Sequence, residues 1–437
     1  MIFNSSKFNK HWPTKRLDEL GEFNRGKSRH RPRNDNALFD GGIYPLIQTG
    51  DVKAANLYIE SHSDCYNEFG LSQSKLWPEN TLCITIAANI AETGLLRYPM
   101  CFPDSVVGFN AYEDECSEVF MHYIFNYIKQ AIQGRIQGSI QDNINIEYLT
   151  GLSFKIPEKA ERKRIELFLS DLDSKISLNN RINQKLEAMA KLIYDYWFVQ
   201  FDFPDKNGKP YKSSGGKMVY NYQLKREIPD GWGDGELSDI ANITMGQSPP
   251  GESYNEEGIG SVFYQGCTDF GSRFPSNRKY TTEPSRFAKK GDILLSVRAP
   301  VGTMNIANED CCIGRGLAAL NSKNNSISYL DGVMQYFKQI FDRRNSDGTT
   351  FGAITKGDLH SLKVVKPRAS VIEAFEKIAK PIFEKQNLIG LENQKLSELR
   401  DWLLPMLMNG QVTVSEAKEY VQESEVRMAA EEGGGYG

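Results

Sequence analysis

The sequence predicts an α+β fold with a pseudo-twofold internal repeat, in which two α/β domains are separated by two long antiparallel coiled-coil helices. Three observations predict it: one unit recurs along the chain, each copy begins with short apolar runs, and each copy ends in a long helical pattern. The chain has 437 residues, of which 40% are hydrophobic and 25% charged. This composition is typical of globular proteins, and the length is enough for two to three domains.

The repeat is visible near both ends of each copy. Four residues near the start of the first copy recur 220 positions later: Trp12, Leu17, Gly26 and Ser28 return as Trp232, Leu237, Gly246 and Ser248. Near the end of the copy, residues 183–186 (Asn-Gln-Lys-Leu) recur letter for letter as residues 393–396, 210 positions later. We therefore expect two copies of one fold, which differ by loop insertions.

The first part of each copy is predicted to form an α/β domain. Short apolar runs are separated by Gly, Pro and Asn, as between strands and short helices. The apolar runs 82–88 and 293–299 occupy corresponding places and suit buried strands. These patterns place the two domains at residues 1–157 and 232–367.

The second part of each copy is predicted to be one long helix. After Pro157 and Pro367, apolar residues recur in steps of four and three, which is the spacing of a coiled-coil seam. The helices are expected at residues 158–204 and 368–410, each roughly 60 Å long. Antiparallel pairing would place the two domains at opposite ends of the helices. Asn183 and Asn393 fall on the seam, where they would either set the register or tip outward.

Two segments lie outside the repeat. Residues 205–231 are rich in Gly, Pro, Ser and Lys and are expected to be a linker. Residues 411–437 form an acidic, Gly-rich tail with six Glu against Lys418 and Arg427. The whole chain has 52 Lys and Arg against 56 Asp and Glu, a net charge of −4. The tail alone accounts for this charge, so the remainder is about neutral.

The sequence does not indicate a metal site, a disulfide framework or a membrane span. The seven cysteines are scattered, and the five histidines stand far apart, so neither a disulfide framework nor a metal site is expected. No apolar run approaches ~18 residues and no signal-peptide pattern is present, so the expected location is cytoplasmic.

Residues 21–28 match the phosphate-loop pattern G-x4-G-K-S. Such a loop needs a buried strand before it and a helix after it, and the flanking residues suggest neither. The second copy also lacks the first Gly and the Lys. A nucleotide hydrolase is therefore a remote alternative, and no catalytic residue is predicted. We expect a binding protein without a reaction of its own.

Local charge favours DNA as the partner. Five basic residues fall within residues 25–33, and residues 273–290 carry six basic residues against Glu283. Such segments contact phosphates, although a solvated loop is the alternative. Arg, Gln and Asn in polar loops can also read bases. The candidate DNA-binding residues are Arg25, Lys27, Arg29, Arg31, Arg33, Gln48, Gln133, Arg135, Gln137, Ser139, Gln247, Ser248, Gln265, Arg273, Arg278, Lys279, Arg298, Arg343, Arg344 and Thr349.

Taken together, these residues resemble the specificity subunits of type I restriction-modification systems over roughly residues 11–408. The most specific parts are the doubled layout of domain then helix and the segments 104–109, 196–204 and 291–302. The resemblance implies a non-catalytic subunit with two target recognition domains. Each domain would read one half of a bipartite, asymmetric site on double-stranded DNA, and the two helices would set the spacer.

The resemblance also implies partners. The helices would dock two methyltransferase (modification) subunits, which use S-adenosylmethionine to methylate adenine N6 after flipping the base. Restriction subunits, which supply translocation and cleavage, join some such complexes. This chain itself would bind no cofactor. A DNA-free protein scaffold is the alternative from a different class.

Overall fold

The computed structural model describes residues 2–87, 89–137, 145–346 and 353–433, of which 134–137, 343–346 and 424–433 are described at the backbone only. The chain divides into two compact units. Unit 1 contains Met1–Ser177 and Lys395–Gly437, and unit 2 contains Leu178–Gln394.

Most of unit 1 is formed by the first part of the chain. Its strands are β1 Thr14–Arg16, β2 Gly21–Arg25, β3 Tyr44–Leu46, β4 Tyr58–Ile59, β5 Asp64–Tyr66, β6 Leu76–Trp77, β7 Leu82–Thr85, β8 Thr93–Leu96, β9 Met100–Cys101, β10 Val106–Ala111 and β11 Ser153–Lys155. Its helices are α1 Thr49–Ala54, α2 Glu68–Ser72, α3 Glu118–Gln137, α4 Ile146–Thr150 and the first half of α5 Lys159–Tyr194, with single 3-10 turns at Leu17–Glu19 and Asn36–Leu38.

The main sheet of unit 1 has strand order β2-β10-β7-β8-β4, and a second sheet has order β5-β3-β9-β6. All four residues of β7 are buried because the main sheet is covered on both faces. Ile84 belongs to the large core cluster that includes α3, whereas the neighbouring Cys83 belongs to a second cluster around Trp77. The period of two along a strand sends these side chains to opposite faces. A continuous apolar run is the expected sequence for such a strand.

Unit 2 contains the second part of the chain. Its strands are β12 Met218–Asn221, β13 Arg226–Pro229, β14 Gly233–Glu236, β15 Ala241–Met245, β16 Tyr254–Asn255, β17 Ser261–Tyr264, β18 Tyr280–Thr281, β19 Phe287–Ala288, β20 Ile293–Ser296, β21 Met304–Ile306, β22 Cys311–Ile313, β23 Leu317–Ser322 and β24 Lys363–Lys366. The helices that follow α5 are α6 Leu237–Ile240, α7 Ile327–Ser346, α8 Lys356–His360, α9 Ala369–Met408 and α10 Val414–Gly433, of which α10 and the end of α9 belong to unit 1.

The two units repeat one fold, as the sequence predicts. The main sheet of unit 2 has order β15-β23-β20-β21, which matches β2-β10-β7-β8 strand for strand. In each unit one parallel pair marks the second sheet, β3 with β9 and β17 with β22. A 20-residue helix follows in both, α3 in unit 1 and α7 in unit 2. The α+β class and the internal repeat are confirmed.

The two long helices pair antiparallel inside each unit. In unit 2, Asn179 contacts Asn393 and Asn183 contacts Gln386. Residue numbers on α9 therefore decrease as those on α5 increase. In unit 1, apolar residues at the predicted seam positions, Ile165, Leu169, Leu172, Ile176, Leu396, Leu403 and Leu407, are buried in one cluster. The coiled-coil spacing therefore predicted the buried face correctly.

The two seam asparagines differ in their surroundings. Asn393 is 8% exposed, accepts a hydrogen bond from Asn179 at 2.9 Å and donates one to Asn180 at 2.8 Å. Asn183 is half-buried and donates to the backbone oxygen of Gln386 at 3.3 Å. Asn393 thus lies in the seam and makes its hydrogen bonds within the helix pair, whereas Asn183 lies at the edge of the seam.

Two segments are more ordered than their composition suggests. Residues 205–231, expected to be a linker, contain the β12–β13 hairpin, and Tyr211 stacks on Phe203 with ring centroids 4.8 Å apart. Residues 411–437, expected to be a tail, contain α10, and Ala417 at its start is fully buried. The helix expected over 158–204 is α5, which continues through one π-helical turn at Asp195–Val199.

The seven cysteines are free thiols. In the described part of the chain, no helix combines the length and apolar character needed to cross a bilayer. Within the same ranges, no group of His, Cys, Asp or Glu side chains could hold a metal ion.

Candidate nucleic-acid interface

A glycine at the end of one strand begins the candidate interface in each unit. Gly26 follows β2 and donates its N–H to the oxygen of Val106 at 2.9 Å, and Gly246 follows β15 and donates to Leu317 at 2.9 Å. A Cβ at Gly26 would collide with the carbonyl oxygen of Pro103, and one at Gly246 with that of Gly314. The shared glycine is therefore required by close backbone packing. The chain leaves the sheet at the same point in both units.

In unit 1 this exit leads into the first basic loop, residues 25–33. All five of its predicted basic side chains are exposed: Arg25, Lys27, Arg29, Arg31 and Arg33. Asp104 neutralises part of the loop, because its carboxylate pairs with Arg33 at 2.7 Å and lies 3.9 Å from Arg31. Arg25 donates to the backbone oxygen of Asp104 at 2.6 Å. Lys27 and Arg29 have no ion pair among the described residues, so they are the charges most available to a phosphate.

In unit 2 the second basic segment, residues 273–290, contains basic side chains that are already paired within the unit and others that are not. Arg273 packs inward, with its guanidinium 4.5 Å from the ring centre of Phe383 and a 2.9 Å hydrogen bond to Asn387. Burial lowers the pKa of Arg273. Two more side chains are held in ion pairs, Arg278 with Asp269 and Lys289 with Asp310.

The unpaired basic side chains of the second basic segment are Lys279, Arg286 and Lys290. All three are exposed and have no ion pair within the described residues. Both units therefore present free basic side chains, but fewer than the sequence alone suggests.

Three polar residues predicted from sequence come together at the exit from β15. Gln247 and Gln265 are exposed, and Ser248 is half-buried. Gly314 and Gly316 donate their N–H groups to Tyr264 and Gln265, which holds the β22–β23 turn against this cluster. Ser285 donates to the backbone oxygen of Gln247 at 2.7 Å, which ties the second basic segment to the same place.

Arg315 belongs to this cluster although the sequence did not single it out. It is exposed, and its backbone N–H donates to the Ser248 hydroxyl at 3.3 Å. In the repeat it occupies the place of Asp104, 211 positions earlier. Alignment of the two copies is the signal that could have found it. Unit 1 therefore has an acid where unit 2 has a base.

The remaining described candidates are dispersed. Gln48 is exposed after β3, as Gln265 is after β17. Gln133 is half-buried and donates to the backbone oxygen of Ile90 at 2.9 Å, and Arg298 is exposed after β20. Ser139 and Thr349 lie outside the described residues. The side chains of Arg135, Gln137, Arg343 and Arg344 also lie outside what the structure describes.

The phosphate-loop match has the wrong backbone for that function. Gly21–Arg25 is an extended strand, paired antiparallel with β10 from Ala111 to Val107. A phosphate loop instead curls its N–H groups around the anion and leads into a helix. Here the strand leads into the first basic loop, and no nucleotide cradle can form.

A polar network in unit 1 is structural. Asp173 accepts hydrogen bonds from Tyr123 and Arg400, each at 2.7 Å. His122 lies beside it, and burial lowers the pKa of this histidine to about 4, so it is neutral at pH 7. The network holds α3 against the two long helices.

One fold repeated in tandem, with polar side chains at the exit from the corresponding strand and free basic side chains in both units, is typical of DNA-specificity proteins. The profile of the type I restriction modification DNA specificity domain matches residues 9–188 and 229–401. These matches cover most of the chain. The chain therefore belongs to this family, as a specificity subunit of a type I restriction-modification system.

Known relatives agree with this assignment. The putative type I restriction enzyme MjaX specificity subunit of Methanocaldococcus jannaschii is 34% identical over 279 residues, which are 62% of this chain and 62% of that relative's length. The MjaIX specificity subunit of the same organism is 24% identical over 433 residues, covering 94% of this chain and 95% of the relative. A crystal structure of a type I S subunit from M. genitalium has a TM-score of 0.54 at 18% identity, with 93% of this chain and 99% of that chain covered. That likeness supports the fold.

Proposed function

We propose that this chain is the non-catalytic DNA-targeting subunit of a methyltransferase complex, and that each unit reads one half of a bipartite, asymmetric site. The observation that carries the proposal is the repetition of one fold with free basic side chains, which follow β2 directly in unit 1 and lie in unit 2 on a later segment that Ser285 ties to the exit from β15. Phosphate contacts of this kind position a protein on the duplex, while neighbouring polar side chains read the bases.

Sequence preference is proposed to come from the residues that differ between the units. At corresponding places unit 1 has Asp104 and unit 2 has Arg315. Arg315 can donate two hydrogen bonds to guanine, whereas the Asp104 carboxylate is held by Arg33 at 2.7 Å and leaves this place in unit 1 without such a donor. Two units with different side chains on one scaffold would read two different half-sites.

The long helices are proposed to set the spacer between the half-sites and to dock two methyltransferase subunits. α5 and α9 contain 36 and 40 residues, and each begins in one unit and ends in the other. The methyltransferase partners would supply S-adenosylmethionine and methylate adenine N6. Restriction subunits would be further partners of the same assembly.

A methylation map tests this function. Single-molecule sequencing of N6-methyladenine in cells with and without the gene should show a split motif that disappears on deletion. An unchanged map, together with no binding of duplex DNA by the assembled complex, would leave a DNA-free scaffold as the better explanation.

Paired charge variants test the role of each unit. Lys27→Ala with Arg29→Ala in unit 1, and Arg286→Ala with Lys290→Ala in unit 2, should each weaken DNA binding by the assembled complex. Each lost phosphate contact should reduce the slope of log affinity against log salt by about 0.9. Lys206→Ala removes an equally exposed charge outside the candidate interface and serves as the control. Equal slopes in all three proteins would contradict the assignment.

A further inference from the structure

Four apolar side chains form an exposed patch on the helix pair of unit 2. Leu192 is 66% exposed, Ile378 46%, Met189 44% and Tyr196 37%. Their level on the two helices is fixed by neighbouring aromatic contacts, since Tyr194 and Trp197 lie 6.3 and 5.7 Å from the ring of Phe375. We call these four residues the open patch. Large apolar side chains that are exposed at one level of a helix pair are candidates for a contact with another protein.

The repeat locates the equivalent surface in unit 1. Adding 210 to Leu192 gives Trp402, and subtracting 210 from Ile378 gives Phe168. Phe168 is only 7% exposed, and Trp402 is 45% exposed, against 66% for Leu192, with its ring in edge-on contact with Tyr420 of α10 at a centroid distance of 5.1 Å. The same helix surface is thus open in unit 2 and partly covered by α10 in unit 1.

The contact face of α10 is short and apolar. Ala417 is fully buried in the unit 1 core cluster, and Val414 and Val421 pack against that cluster. Their spacing of three and four residues places them on one side of the helix. The cover is therefore an amphipathic helix with a small residue at its centre.

The start of α10 is fixed locally. Thr413 and Glu416 form a reciprocal capping box, with the Thr413 N–H donating to Glu416 at 2.7 Å and the Glu416 N–H to the Thr413 hydroxyl at 3.3 Å. Gly410, at φ +74°, turns the chain beside Trp12. A capped start and a left-handed turn direct the helix back onto α5 and α9.

We propose that α10 covers, in cis, one of two equivalent helix-docking surfaces, and that the open patch binds a helix of a methyltransferase subunit. This rests on the proposed function. The covered surface shows which element fits the open one: an amphipathic helix with apolar residues three and four positions apart. The chain accordingly takes up one methyltransferase subunit readily, and the second binds at unit 1 after α10 moves away.

Native mass spectrometry of the full chain with purified methyltransferase subunit tests the order of binding. The full chain should bind a first subunit, and a second at least about tenfold more weakly, because its site is open in only a small fraction of molecules. Ending the chain at Gln411 should bring the two affinities together. Leu192→Lys should abolish the tight first step.

Point variants of the full-length chain test the same prediction without the risk that the shortened chain unfolds. Ala417→Glu places a charge at the buried contact of α10 and should strengthen the second binding step as truncation does. Lys418→Ala, an exposed neighbour on the same helix, should leave it unchanged. The proposal that α10 covers the unit 1 surface would be contradicted by two equal affinities in the full chain. It would also be contradicted if the second binding step were unchanged after truncation and in Ala417→Glu. Neither result would contradict the proposed function. A chain that binds no methyltransferase would overturn both.

Discussion

The carboxylate of Asp173 lies almost fully buried between α3 and the long helices of unit 1. Its side chain is 1% exposed, and the side chain of Arg400 that pairs with it is 22% exposed. At the equivalent places in unit 2, Val333, Phe383 and Ala190 replace Tyr123, Asp173 and Arg400. One fold therefore tolerates a polar or an apolar interior here, provided that every buried charge has its partner.

Removal of this carboxylate should strongly destabilise unit 1. Asp173→Asn leaves the partly buried Arg400 with only Asp401, 2.8 Å away, as its counter-ion, and we expect the free energy of unfolding to fall by about 2 kcal/mol. Urea unfolding followed by circular dichroism measures it. Asp171→Asn, on an exposed face of the same helix, should change the free energy by less than about 0.5 kcal/mol. Equal losses in the two variants would show that the ion pair does not hold the helices.

At the scale of secondary structure, the helix pair combines an apolar seam with a polar contact between the two helices. Asn179 donates to Asn393 at 2.9 Å and to Glu392 at 2.8 Å, and both asparagines are more than nine-tenths buried. The heptad spacing predicted that polar residues would interrupt the seam. Only the packed structure shows that Asn179, rather than Asn183, is the partner of Asn393.

The two asparagines should behave as a coupled pair. Asn179→Leu leaves the Asn393 oxygen without this hydrogen bond and should cost about 1–3 kcal/mol of unfolding free energy. The double variant with Asn393→Leu should cost less than the sum of the single variants, because both polar groups leave the seam together. A double-mutant cycle measures the coupling, with Gln184→Leu as the exposed control on α5. Strict additivity would refute the pairing.

At the scale of the molecule, each unit has its own buried core. Phe109 lies in the cluster that includes α3, and Leu295 lies in the cluster that includes α7; both side chains are fully buried. The units should therefore open separately, since local stability follows local packing.

Hydrogen exchange should resolve this independence. Phe109→Ala removes about 3–5 kcal/mol of core stability and should speed exchange of the α3 amides while α7 keeps its protection. Leu295→Ala should have the reverse effect. Loss of protection in both helices from either variant would indicate a single cooperative unit.

The sequence by itself determined the repeat, the two domains, the paired helices, the basic loops and the family, because hydrophobic spacing and residue similarity are recorded locally along the chain. The tertiary structure decided which charges remain free. Arg33 is paired with Asp104 across 71 positions, and Arg273 packs on Phe383. It also decided that the acidic tail begins as a helix on the unit 1 core. These outcomes depend on burial and on contacts between residues far apart in the chain, which no local pattern specifies.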